Sequence, residues 1–360
     1  MMKALLSLVL AATPASTVTQ LSLPPPTGPE RVGTVTAHLI DRSRPDPWVA
    51  SEKVRELMVS IWYPARTVRG HERAGWVSPG VAERINPPGS PYALPVTHGY
   101  VGAPPAAGRH PVILYSPGFG IERTSGTVLV EDLASHGYVV VTIDHTHDAN
   151  FVEFPDGRIA TAAIDPPASP DEEETLLEKV VDVRVRDTRF VLDQLRRMPL
   201  ARTMDLSRIG MFGASMGGTT TADVMLADPR VLAGVNLDGS FIGPILDRDL
   251  KRPFLLFGSD GDGEQDETWT KAWDRLRGPR YWREIDGTKH LSFTDFQSLY
   301  PQLGLPADQV EPVVGTIDPA RSVAVQRAFV RAFFDRHLRH RGGGILDRPS
   351  PRYPEVRILP

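Results

Sequence analysis

Val32 to Ile40 and Leu57 to Tyr63 alternate apolar and polar side chains with a period of two, which predicts an antiparallel pair of strands burying one face. Further on the pattern changes. Pro111–Tyr115 and Tyr138–Ile143 are continuous apolar runs, and Thr124 to His136 between them has helical spacing that stops at Gly137. Unbroken apolar strands separated by helices signal a parallel sheet covered on both faces, because neither side of such a strand meets water. Short strands at Ile209–Phe212, Val231–Leu237, Pro253–Phe257 and Tyr281–Ile285 continue the series, with helices over Val181–Met198, Thr219–Ala227 and Ser322–Leu338. The last carries an apolar stripe at Val323, Val325, Ala328, Phe329, Ala332 and Phe333. No internal repeat is visible. The prediction is an α/β fold, a single domain over residues 31–340 with helices on both faces of a mostly parallel sheet.

Two stretches lack such a period. Residues 74–110 are rich in Pro and Gly, and 151–180 open on a hairpin at Pro155-Asp156-Gly157 before an acidic helix start at Asp171 to Glu174. Long connections of this kind are lids or binding loops, so both are expected to border a site as lid or cap insertions. The acidic run itself reads as a solvated first turn matched to the helix dipole. Residues 341–360 read as a C-terminal tail. At the other end, Met1-Met2-Lys3, the apolar run Ala4 to Ala12 and Thr13-Pro14-Ala15 read as a secretory signal peptide over 1–15, hence a secreted protein; without it the chain would be cytoplasmic. No other stretch reaches the roughly 18 apolar residues of a membrane span.

Composition removes several function classes. With 40 basic and 44 acidic residues the chain has no excess positive field for a phosphate backbone, so no nucleic-acid partner is expected. The absence of cysteine excludes a thiol nucleophile, a Cys-ligated zinc, an iron–sulfur cluster and disulfides. Oligomeric state is left open.

The chemistry concentrates at Gly213-Ala214-Ser215-Met216-Gly217, a GxSxG between an apolar strand and a helix. A sharp turn there needs residues without bulk on both flanks of the serine, and it presents the hydroxyl at the sheet's edge. A serine hydroxyl is a weak nucleophile, so an imidazole must take its proton and a carboxylate must hold that imidazole. Three histidines follow Ser215: His290, His337 and His340. The last two stand at the basic end of the terminal helix, where a solvated cation is the ordinary reading. His290 follows the strand Tyr281–Ile285 and so stands where sites of open α/β sheets form. It is the expected base. For the acid, Asp238 ends one apolar run and Asp260 follows the next; the order common to α/β-hydrolases favours Asp260 or Asp262. A calcium reading of Asp260-Gly-Asp262-Gly-Glu264 fails, since an EF-hand loop needs Gly and Glu where the chain has Gln265 and Lys271. His145, His147 and Asp148 follow another strand end, but no third ligand is evident to join the two histidines on a metal. A pocket-wall or hydrogen-bonding role is expected for them, and no metal.

Taken together, Tyr115-Ser-Pro-Gly-Phe-Gly120, Leu133-Ala-Ser-His-Gly-Tyr138, Gly213-Ala-Ser-Met-Gly217, Leu237-Asp238 and His290-Leu-Ser-Phe-Thr-Asp-Phe296 resemble the plasma-type platelet-activating factor acetylhydrolases and their bacterial esterase relatives. The resemblance spans about residues 31–340 and implies an α/β-hydrolase fold. It moves the acid to Asp238, keeping Asp260 as the alternative, and places one oxyanion-hole N–H at Phe119; the other belongs to Met216, the residue after the nucleophile. Pro117 departs from the histidine common in that family's loop. The implied activity is hydrolysis of a short-acyl ester, such as an acetylated phospholipid, through an acyl-enzyme and with no cofactor. The alternatives are a peptidase or amidase on the same triad, and a non-catalytic binding protein on a hydrolase scaffold.

Overall fold

In the computed structural model, which describes residues 18–342 and 344–360, one sheet has eleven strands among the described residues. In chain order they are β1 (Arg31–Asp41), β2 (Arg55–Ala65), β3 (Arg73–Gly75), β4 (Val96–Val101), β5 (His110–Ser116), β6 (Val139–Asp144), β7 (Met204–Ala214), β8 (Val231–Leu237), β9 (Phe254–Gly258), β10 (Arg280–Ile285) and β11 (Val356–Ile358). Across the sheet the order is β11-β10-β9-β8-β7-β5-β6-β2-β1-β4-β3. The six strands from β10 to β6 are parallel. The opening hairpin is antiparallel, pairing Arg31 with Ala65 through to Asp41 with Arg55.

Side chains alternate across each central strand, and the two apolar faces they make are covered by different helices. Ile113, Tyr115, Val140 and Phe212 pack under α1 (Thr127–Ser135) and α4 (Pro319–Arg339), which contribute Leu129, Leu133, Phe329 and Phe333. Val112, Leu114, Val141 and Met211 face α2 (Pro170–Gln194) and α3 (Met216–Ala227) through Val191, Leu192, Ala222 and Met225. Burying each such side chain fully contributes about 1.5–3 kcal/mol, which outweighs any local propensity. At the start of α2, Ser169 accepts from the Glu172 N–H, and the acidic first turn lies where the helix dipole favours it.

The first unpatterned stretch and the tail hold more regular structure than their sequences show. Residues 74–110 hold β4, most of β3, and a helix over Pro79–Ile85; Trp76, Val77, Ile85 and Tyr92 pack against Leu21, Leu23 and Leu299. Short, half-exposed strands bury little and so leave little pattern to read. The 151–180 stretch is a hairpin, Phe151–Glu153 with Ile159–Thr161, followed by the first turns of α2. Past residue 340 the chain rejoins the sheet as β11, pairing Ile285 with Val356. Three residues are too few to show a period. The stretch 1–15, read as a signal peptide, lies outside the described residues. No described helix is long and apolar enough to cross a membrane.

From β5 the chain goes to β6 on one side and returns to β7 on the other. The order therefore reverses between β5 and β7, and ligand sites of open α/β sheets form at the carboxyl ends beside such a reversal.

Candidate active site

Ser215 stands between the end of β7 and the start of α3, with φ 53° and ψ −124°. The turn is tight enough to exclude side chains around it. A Cβ on Gly213 would lie 2.1 Å from the Gly217 carbonyl oxygen, and one on Gly217 would lie 1.9 Å from that of Ser116. The Ser215 N–H donates to the Leu237 carbonyl at 2.8 Å, which fastens the turn to the end of β8.

Directly after that carbonyl comes Asp238, also left-handed at φ 56°. Asn236 shapes this second turn: its amide donates to the Gly239 carbonyl at 2.7 Å and its oxygen accepts from the Gly239 N–H at 2.8 Å. The Asp238 carboxylate then reaches in two directions. Oδ1 accepts from the Ser259 N–H at 2.6 Å, and Oδ2 lies 2.7 Å from Nδ1 of His290. The carboxylate is buried while the imidazole is half exposed, with 3% and 50% of their side chains accessible. A buried anion beside an exposed imidazole fixes which ring nitrogen carries the proton and leaves the ring able to meet a substrate.

His290 opens a short turn, His290–Phe293, that is itself anchored. Ser292 Oγ donates to the Val314 carbonyl at 2.7 Å and accepts from the Lys289 N–H at 2.9 Å. Just beyond, Asp295 accepts from the N–H groups of Thr127 and Val128 at the start of α1 and from Trp76 Nε1. Burial pushes the Asp295 carboxyl up to about 8.

The other candidates go elsewhere. Asp260 accepts from the Gly287 N–H at 3.0 Å and pairs with Arg357 at 3.1 Å. The Asp262 side chain lies outside the described residues. His337 is not the solvated cation expected: it packs on Phe333 and Tyr281, and burial, aided by Arg336 and His340, pushes it down to about 4. His145 Nε2 accepts from Ser116 Oγ at 2.9 Å and its Nδ1 donates to Asp187 at 3.0 Å. His147 contacts the Thr161 carbonyl and Glu52, and Asp148 pairs with Arg184. Asp46, Glu52 and His147 bring possible ligand atoms within 4.8 Å of one another, but Asp46 is already committed to Arg55 and to the Trp48 and Val49 N–H groups.

Phe119, in the loop after β5, and Met216, first in α3, belong to one apolar cluster with Trp48, Ile164, Leu177, Val181 and Ile242. As the first helical residue, Met216 has an N–H with no acceptor one turn back.

Comparison with known proteins gives three kinds of match. The family model described as platelet-activating factor acetylhydrolase, isoform II, matches residues 87–159. A probable 1-alkyl-2-acetylglycerophosphocholine esterase of Arthroderma benhamiae is 33% identical over 265 residues, covering 69% of this chain and 66% of that protein. The platelet-activating factor acetylhydrolase of Canis lupus familiaris is 25% identical, over 64% of this chain and 57% of its own length. The chain thus spans somewhat under two thirds of these two relatives. A solved structure described as ferulic acid esterase from Streptomyces cinnamoneus is 40% identical with a TM-score of 0.85, covering 94% of this chain and 99% of that one. The chain belongs to the family of platelet-activating factor acetylhydrolases and their bacterial esterase relatives.

As a member of the acetylhydrolase and esterase family, the chain has the α/β-hydrolase fold, and the GxSxG motif marks the strand-to-helix turn the fold uses. Sequence reasoning missed Arg184 and Asp187 beside this site, although a signal was present. They stand three residues apart within the apolar stripe of α2, among Val180, Val181, Thr188 and Val191, and both are buried. Charges on the buried face of a helix need partners: Arg184 finds Asp148 and the carbonyls of the loop after β5, and Asp187 finds Arg44, Arg55 and His145.

Proposed function

We propose that the chain hydrolyses carboxylic esters through an acyl-enzyme on Ser215, with His290 as the base and Asp238 as its orienting acid. The observation that carries this reading is the 2.7 Å contact between a buried Asp238 and an exposed His290, beside a serine in the left-handed conformation of a nucleophile turn. With Nδ1 engaged by Asp238, Nε2 takes the Ser215 proton as the oxygen attacks the ester carbonyl. The resulting oxyanion accepts from the N–H groups of Phe119 and Met216, and the proton passes to the leaving alcohol. Water repeats the sequence on the acyl-enzyme and releases the acid. Wild type should hydrolyse 4-nitrophenyl acetate and Ser215→Ala should lose about a million-fold in kcat. Equal rates in both would reject the reading.

The substrate proposed is a short-acyl ester, supported by the names of the acetylhydrolase relatives. Phe119, Trp48, Ile164 and Ile242 favour a second reading, an aromatic acyl group stacked on that wall, which accords with the ferulic acid esterase neighbour. Comparing kcat/KM for acetyl, octanoyl and feruloyl esters separates the two; preference for octanoyl would reject both. Export belongs to the same proposal, and N-terminal sequencing of protein recovered from culture medium tests it.

A further inference from the structure

The loop after β5 is held from behind by a buried ion pair. The Arg184 guanidinium is clamped by Asp148, Nε to Oδ2 and Nη2 to Oδ1, each at 2.7 Å, and both side chains are shut off from solvent. Its other hydrogen bonds among the described residues go to the loop: Nη1 donates to the Pro117 carbonyl at 2.5 Å and Nη2 to the Gly118 carbonyl at 3.0 Å. Asp148 completes the grip, accepting from the Gly120 N–H at 3.1 Å through Oδ1. The pair therefore holds the loop on both sides of Phe119.

That grip has a directional effect. The Gly118–Phe119 peptide is trans, and a planar trans peptide points its C=O and its N–H in opposite directions. Drawing the Gly118 carbonyl toward a buried guanidinium turns the Phe119 N–H away from it. Gly118 itself lies against the nucleophile turn, where a Cβ built on it would stand 3.5 Å from Cβ of Ser215. Pro117 has no N–H to offer, so the loop's donor has to come later. A rigid five-donor fork meets two carbonyls and a carboxylate together, which a lysine's point charge does not.

We infer that Arg184, clamped by Asp148, is the positioning residue of the oxyanion hole, aiming the Phe119 N–H at the place where negative charge develops above Ser215. The inference rests on the esterase reading of Ser215. Neither residue touches substrate; both act through the loop backbone.

The test compares Arg184→Lys and Asp148→Asn in the full chain, both of similar bulk to the wild type. The readouts are kcat and KM on 4-nitrophenyl acetate, thermal midpoint, and affinity for a matched pair of ketones. A trifluoromethyl ketone accepts the Ser215 oxygen at its carbonyl carbon, the serine proton passing to His290, and places an alkoxide in the hole; the methyl ketone of the same shape binds without adding. In a folded variant, kcat and trifluoromethyl ketone affinity should fall together by about 100-fold or more, with KM and methyl ketone affinity within about threefold. Wild-type kcat in folded variants would overturn the inference, as would parallel weakening of KM and both ketones. Failure of both variants to fold would assign the pair to stability alone and also overturn it. Ser215→Ala keeps the two readings apart: activity surviving in it rejects the nucleophile, whatever the Arg184 variants do.

Discussion

Ser215 and Asp238 both hold positive φ, at 53° and 56°, where a side chain costs about 1–3 kcal/mol of backbone strain. The Ser215 N–H bond to Leu237 ties the nucleophile turn to the end of β8, while the Asn236 side chain and the Asp238 N–H bond to the Phe257 carbonyl hold the second turn. Function at this scale depends on which carboxylate faces the imidazole. Asp238→Asn, which would reverse the ring's preferred tautomer, should lower kcat by about 10³–10⁴-fold with little change in KM, as steady-state kinetics would show. Asp260→Asn, whose partners are Arg357 and Gly287, should stay within about threefold. Ser215 was legible from its motif and His290 from its strand-end position. Asp238 and Asp260 were not separable by residues alone, because both follow strands, and only the resemblance favoured Asp238. Ser259 was invisible for a different reason: it serves Asp238 through a backbone N–H, which any residue type carries.

The central strands and the helices that cover them were legible because each buries a continuous face, and burial writes a period into the chain. Three-residue elements such as β3 and β11, and a half-exposed strand such as β4, bury too little to do so. Two features of α3 lead to predictions. Gly217→Ala would drive a methyl into the Ser116 carbonyl, so it should lower the urea midpoint by the equivalent of about 1–3 kcal/mol and abolish activity. On the same helix, Asp223 accepts from the Ile245 N–H at 3.0 Å through Oδ1, while its buried Oδ2 has no partner among the described residues. Burial pushes this carboxyl up to about 7, against the lowering effects of Ile245 and Arg248. The folded chain thus binds the proton more tightly than the unfolded one, whose carboxyl titrates near 3.8. Stability is fully present below that value and declines as pH rises toward 7. Urea midpoints at about pH 5 and about pH 8 should therefore differ more for wild type than for Asp223→Asn, which keeps the Ile245 acceptor.

At the scale of the whole molecule the two ends of the chain's described part close the sheet and its flank. Arg357, on β11, contacts Asp260, Glu264, Glu284 and Asp286, while Leu346, Tyr353 and Val356 join the core under α4. Removing residues 344–360 should lower the thermal midpoint and promote aggregation, measured by light scattering, because β10 becomes an open edge. Finally, Ser116, His145 and Asp187 reproduce the residue types of the proposed reaction centre in a dry interior: all three are at most 1% accessible, and burial, only partly offset by Asp187, pushes the His145 imidazole below its ordinary range. What separates this string from the proposed reaction centre is entry. A fluorophosphonate added to the intact protein should modify Ser215 and spare Ser116 until the chain is unfolded, a contrast that peptide mass mapping would display.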